Sequence, residues 1–155
     1  MLWLMVVLII SFIFTNIRKI SIRKKFLSFF ILFLIIQSIF INMKVKINNN
    51  MFDVKTVLTS KDIQNGMMGK KFDGFDGMLF FMKNESHSFW MKNCLVHLDI
   101  LYIDNNKITK IHHNCKPCFT KECEHYEGNG DMVLELPGGT CKTYNIKEDD
   151  EIKLL

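Results

Sequence analysis

Two groups of residues have the types and spacing for chemistry. The first is His112, His113, Cys115, Cys118, Cys123 and His125, six soft or borderline ligands within fourteen residues. Zinc needs four donors in tetrahedral geometry, so His112, Cys115, Cys118, Cys123 and His125 form a candidate zinc set. Adjacent histidines on a strand point to opposite faces, which counts against it. Cys115-Lys116-Pro117-Cys118 also has the C-x-x-C spacing in which one thiolate is stabilised and the other resolves a mixed disulfide. In thioredoxin-like proteins that motif opens a helix after a strand; here it falls in a loop after a hairpin, so thiol oxidoreduction is disfavoured.

The second group is polar: Trp90, Lys92, Asn93, Asp99 and Glu135. Trp90 offers an apolar platform, and Lys92 and Asn93 offer donors to an acidic or sugar-like ligand in a cleft at the mouth of a sheet. The alternative is structural, with Lys92 and Asp99 as a partly buried ion pair and Asn93 capping a turn. Catalysis would need a nucleophile or an acid/base pair with tuned pKa values. No paired carboxylates, Ser-His-Asp order or metalloprotease helix is present, so a binding or assembly module is preferred to an enzyme. The pair Met67-Met68 suits soft Cu(I) but suits core packing better.

The elements that must position these residues centre on 88–104, SFWMKNCLVHLDILYID. Leu98, Ile100 and Tyr102 fall on one face at period two, and Asp99, Leu101 and Ile103 on the other. Both faces are largely apolar, so Asp99 is a buried carboxylate that needs partners. Upstream, 52–58 alternates as a first strand, and Thr59 or Ser60 caps a helix running to about Met68 and stopping at Gly69. Residues 70–76 hold two Asp-Gly steps and read as a loop. Strands follow at 77–82 and 86–91 across a turn at Lys83-Asn84-Glu85, which contains the sequon Asn84-Glu85-Ser86. Asp104-Asn105-Asn106 is a hairpin signal, and 107–113 pairs back. A long loop over 114–131, a strand at 132–136, a short helix from Thr140 through Tyr144 and a last strand at 151–155 complete the chain. The predicted class is α+β: a small, mostly antiparallel, partly closed β-barrel-like sheet with one or two short helices.

Of 20 basic and 16 acidic residues, Arg18, Lys19, Arg23, Lys24 and Lys25 precede residue 44 and no acidic residue does. The rest is close to neutral, so the basic pI of 8.8 is no argument for nucleic acid, and zinc-finger spacing is lacking. Nucleic-acid binding is disfavoured. Residues 1–14 and 26–41 are almost wholly apolar and flank the basic residues. With their neighbours both runs reach a membrane-spanning length, and the positive-inside tendency holds the basic loop in the cytoplasm. Residues 1–43 are therefore expected to be a membrane anchor, 44–51 a linker and 52–155 an extracytoplasmic domain. A signal peptide with its apolar region at 26–41 is the rival reading, but 41–50 lacks an A-x-A-like cleavage site. Both readings export the domain.

Several motifs together resemble the domain-of-unknown-function 192 family: Gly66-Met67-Met68-Gly69, Gly77-Met78-Leu79-Phe80, Phe89-Trp90-Met91-Lys92-Asn93, Leu98-Asp99-Ile100, Pro117-Cys118 with Cys123 and Tyr126, and Leu134-Glu135-Leu136 followed by Gly138-Gly139. The resemblance runs from about Val54 to the C-terminus. It implies a small single domain behind an export signal or anchor, and it supplies no catalytic residue, because the family is known as a fold without an assigned activity. Of five cysteines, Cys118 and Cys123 alone match the family pattern. They are the pair it implies for a disulfide in an exported domain, while Cys94, Cys115 and Cys141 look like additions. The expected protein is a membrane-tethered module for an unknown small-molecule or protein ligand, with no cofactor. The alternative is a zinc-binding or thiol-redox protein using the loop 112–125.

Overall fold

The computed structural model describes residues 43–155, together with Ser28 and Phe30. The expected membrane anchor falls almost entirely outside the described residues. Among those residues no helix is long and apolar enough to cross a membrane.

The elements are β1 (Met43–Ile47), β2 (Asn50–Val57), α1 (Ser60–Asn65), β3 (Gly77–Trp90), β4 (Leu98–Asp104), β5 (Lys107–Cys115), β6 (His125–Pro137), α2 (Thr140–Thr143) and β7 (Ile152–Leu154). The strands form one sheet in the order β5-β4-β6-β3-β2-β1-β7. All neighbours are antiparallel except β2 and β3, which run parallel across the α1 crossover. The sheet curls until its first and last strands meet at one end. There Asp149 N donates to Ile108 O at 2.8 Å, Ile152 N to Asn106 O at 2.9 Å and Ile108 N to Asp150 O at 3.0 Å. A few backbone groups at that end of the two edge strands are thereby paired. The α+β class and the curled, mostly antiparallel sheet agree with the sequence.

The period-two reading of β4 is met. Leu101 and Ile103 join the inner core with Val45, Ile47, Leu79, Leu134 and Leu136. Leu98, Ile100 and Tyr102 join a second cluster on the outer face with Met67, Phe80, Met91 and Val133. A strand paired on both sides and buried on both faces has to be apolar throughout, and Asp99 is its exception.

Four boundaries differ from expectation. Residues 44–51 are not a linker: β1 pairs with β2 and with β7, and Val45 and Ile47 are fully buried. Alternation with Lys44 and Lys46 is the half-buried strand pattern, disguised by charge. The turn expected at 83–85 is absent, and β3 runs on, with a register irregularity between Phe81 and Glu85 that re-aims its second half. Half of the loop expected over 114–131 is strand, since β5 extends to Cys115 and β6 begins at His125. Finally, α1 stops at Asn65 with Gly66 as its C-cap at φ 42°, three residues before the expected Gly69 stop. Its N-cap is Thr59, one of the two expected candidates, whose side chain accepts from Asp62 N at 3.1 Å.

Candidate functional site

The polar residues singled out in the sequence do not form one site. Register decides this: Ile100 faces Glu135 across the β4–β6 ladder, while Asp99 faces Leu136. Asp99 therefore points to the inner face and Glu135 to the outer one.

Asp99 is fully buried and acts as a knot. Oδ1 accepts from Asn114 N at 2.7 Å and Gly139 N at 3.1 Å, and Oδ2 from Cys141 N at 2.8 Å. Gly139, the N-cap of α2, sits at φ 88° and has no side chain with which to cap. The carboxylate of a distant strand supplies the missing acceptor for the helix start and ties it to β5. The partners a buried carboxylate requires are thus backbone N–H groups. The ion pair with Lys92 is not formed. Lys92 Nζ instead donates to Thr120 O at 2.6 Å and stands 5.9 Å from the Trp90 ring centroid, at the outer limit of a cation–π contact. Asn93, at φ 52°, shapes a turn and its carbonyl accepts from Gly69 N at 2.8 Å.

Glu135 and Trp90 line a common cleft of about 240 Å³ between the end of α1 and the second half of β3. Gln64, Asn65, His87 and Ser88 supply its polar wall, and Met67, Met82, Phe89 and Cys94 its apolar one. Glu135 is only 3% exposed, and its Oε2 has no hydrogen-bond partner. Burial pushes its carboxyl up to about 8 from an ordinary 4.5, against the opposing pull of the Lys70 ammonium. Lys70 Nζ is occupied by Gly66 O at 2.6 Å. The α1 C-cap lies beside the carboxyl: a Cβ added to Gly66 would be in ordinary contact with Glu135 Oε1 at 3.9 Å and Phe80 Cζ at 3.7 Å. Burial, and secondly the charge of Glu135, pushes the neighbouring Cys94 thiol up to about 12, so it is no nucleophile at neutral pH. At the mouth, Ser88 Oγ and His125 Nδ1 are 2.8 Å apart, and the Trp90 and His125 rings are 5.9 Å apart.

The Cys/His loop is arranged differently from a zinc site. Cys118 and Cys123 form a disulfide, the pair the family resemblance implies. His112 Nε2 lies 2.9 Å from Glu127 O, Cys115 Sγ bonds His112 O at 3.5 Å, and His125 is turned to Ser88. The five candidate ligands are therefore engaged separately. The C-x-x-C exchange pair is likewise replaced, because Cys118 is bonded to Cys123, and Cys115 is buried with its thiol pushed up to about 12, first by desolvation and then by Asp99.

Residues 43–154 match the model of DUF192, described as uncharacterized ACR. The chain belongs to the DUF192 family. The structure is similar to a crystal structure of a protein of unknown function from Novosphingobium aromaticivorans, with 25% identity over 72% of this chain and 83% of that one and a TM-score of 0.61. A Sinorhizobium meliloti crystal structure, proposed to be of a transcription regulator, has the same TM-score at 23% identity, covering 73% of this chain and 92% of that one, a likeness of fold. No curated protein matches.

In this DUF192 domain the sequence signals marked Trp90 and Glu135 but missed the rest of the cleft. Gln64 and Asn65 fell within the expected helix and Ser88 within the expected strand 86–91, and none of them was singled out. The alternation Leu134-Glu135-Leu136 reads as a strand with one solvated face, so the burial of Glu135 under the outer cluster had no local signal.

Proposed function

We propose that this DUF192 protein is a membrane-tethered, extracytoplasmic binding module, and that its ligand enters the cleft over Glu135. The observation that carries the reading is Glu135, which lines the cavity while its Oε2 is buried and has no hydrogen-bond partner. An unsatisfied buried polar atom costs free energy, and a ligand group reaching the cleft floor would recover it. With its carboxyl pushed up to about 8, Glu135 is protonated at neutral pH and both donates and accepts. That selects a small uncharged ligand with an amide, hydroxyl or similar group at one end and an apolar body against Met67, Phe89 and Trp90. Trp90, 40% exposed, forms the rim. Support for the tether is the pair of apolar runs around a basic loop, and support for an oxidising compartment is the Cys118–Cys123 disulfide.

The test is an NMR screen of small amides, polyols and sugars against the detergent-solubilised full chain. Hits are expected to shift the amides of Asn65, Ser88, Trp90 and Cys94, and Glu135→Ala, with its fold verified by its spectrum, is expected to weaken them about tenfold or more. Hits that avoid the cleft, or that bind the variant equally, would contradict the reading.

A further inference from the structure

On the inner-face side of the sheet, away from Glu135, the fold gathers three ligating side chains that the proposed binding role does not use. Asp99 of β4, His113 of β5 and Cys141 of α2 each place a ligand atom within 4.8 Å of the others. Among the described residues no other trio of His, Cys, Asp or Glu is so placed. They line a cavity of about 520 Å³.

We propose that Asp99, His113 and Cys141 form a three-ligand zinc site with an open fourth position facing this cavity. The donor set is one oxygen, one imidazole nitrogen and one thiolate sulfur. That mixture suits a borderline dication, whereas magnesium and calcium prefer oxygens alone. Three protein ligands plus an open position are the pattern of reactive zinc sites, unlike the four-ligand structural ones. Bonds of about 2.0–2.3 Å to zinc require the three atoms to close by roughly an ångström, and His113, which is exposed, has the freedom to do it. Asp99 is oriented in advance: its three backbone N–H bonds fix the carboxylate, as the outer shell of a metal site does. Among the described residues Asp99 has no cationic partner, so a bound dication would supply the missing charge. Exposed His113 gives the entry path. The Cys141 thiol proton leaves to solvent as the S–Zn bond forms. Lys142 and Lys147 also line the cavity, so the open position is set for water or an anion such as a carboxylate or phosphate.

This set shares no residue with the candidate zinc set His112, Cys115, Cys118, Cys123 and His125. Asp99 and Cys141 are 42 residues apart, beyond any spacing motif.

The experiment uses the full chain in detergent, with its disulfide intact. Zn²⁺ is titrated against a chromophoric chelator, and Co²⁺ is substituted to read the ligands by absorption. One Zn²⁺ per chain is expected, with a thiolate-to-cobalt charge-transfer band. His113→Ala should weaken binding at least tenfold while leaving the melting curve of the metal-free protein unchanged, and Cys141→Ser should abolish the band. His112→Ala, one residue away on the opposite face, should change neither. Absence of the charge-transfer band, or equal zinc affinity in wild type and His113→Ala, would overturn the proposal. The His113 comparison decides even if Cys141→Ser fails to fold. Because Glu135 lies on the other face, this result is independent of the cleft reading.

Discussion

Two buried carboxylates on adjacent strands have opposite roles, and their hydrogen bonds decide which. Asp99 accepts from three backbone N–H groups, two on Oδ1 and one on Oδ2, which leaves one acceptor site on Oδ2; Glu135 Oε2 has no partner. Asp99→Ala should therefore cost roughly 3 kcal/mol or more in denaturant unfolding, because three buried donors lose their acceptor. Lys92→Ala, which gives up one half-exposed bond to Thr120 O, should cost about 1 kcal/mol or less. Equal losses would restore the Lys92–Asp99 ion pair that the structure lacks. For Glu135 the folded carboxyl sits above its ordinary value, so the folded state binds the proton more tightly. Its contribution to stability is complete below about 4.5 and is lost as pH rises through about 8. Stability should fall across that window by up to about 1.4 kcal/mol per pH unit, and Glu135→Gln should flatten the slope. The presence of a buried carboxylate at Asp99 was legible from its place in LDILYID. Its partners were not, since they arrive from Asn114, Gly139 and Cys141, remote in sequence.

At the scale of elements, β6 and the loop before it were the hardest to read. The segment 125–131 carries Gly128 and Gly130 among polar residues, a composition that suggests loop. Its strand exists because Gly128 lets the Tyr102 ring lie against the backbone of β6, where a Cβ would collide with the ring. The Tyr102 hydroxyl then donates to Tyr126 O at 2.5 Å. Gly128→Val should accordingly cost about 1–3 kcal/mol from overpacking, measured by thermal unfolding, whereas Asn129→Val, exposed on the same strand, should be near neutral. The preceding loop is closed by Cys118–Cys123. Replacing both with serine should lower stability by about 2 kcal/mol on loop-closure grounds, and should loosen the Lys92 contact at Thr120. The hairpin of β4 and β5 was legible because Asp104-Asn105-Asn106 carries its own turn chemistry, with Asn105 and Asn106 at φ 50° and 63°. The Lys83-Asn84-Glu85 stretch carries similar residues but is held extended by pairing to β6 on either side, a tertiary effect that local chemistry does not reveal.

For the whole molecule, the curled sheet divides its apolar residues between an inner and an outer core. That division places the Glu135 cleft and the Asp99–His113–Cys141 trio on different faces. Fold class and the double burial of β4 were visible in the sequence because they follow from periodicity. Closure of the sheet was only partly visible, because β1 hides behind alternating lysines. The cleft itself depends on register between β4 and β6, which a single sequence does not state. The binding reading rests on a protonated, unpartnered Glu135 on the cleft floor. The direct test is a carboxyl-carbon NMR titration of the folded protein, with Glu135 assigned by the signal missing in Glu135→Gln. Titration near pH 8 is the predicted result; titration near 4.5 would mean a hydrated or paired carboxylate and would contradict the account.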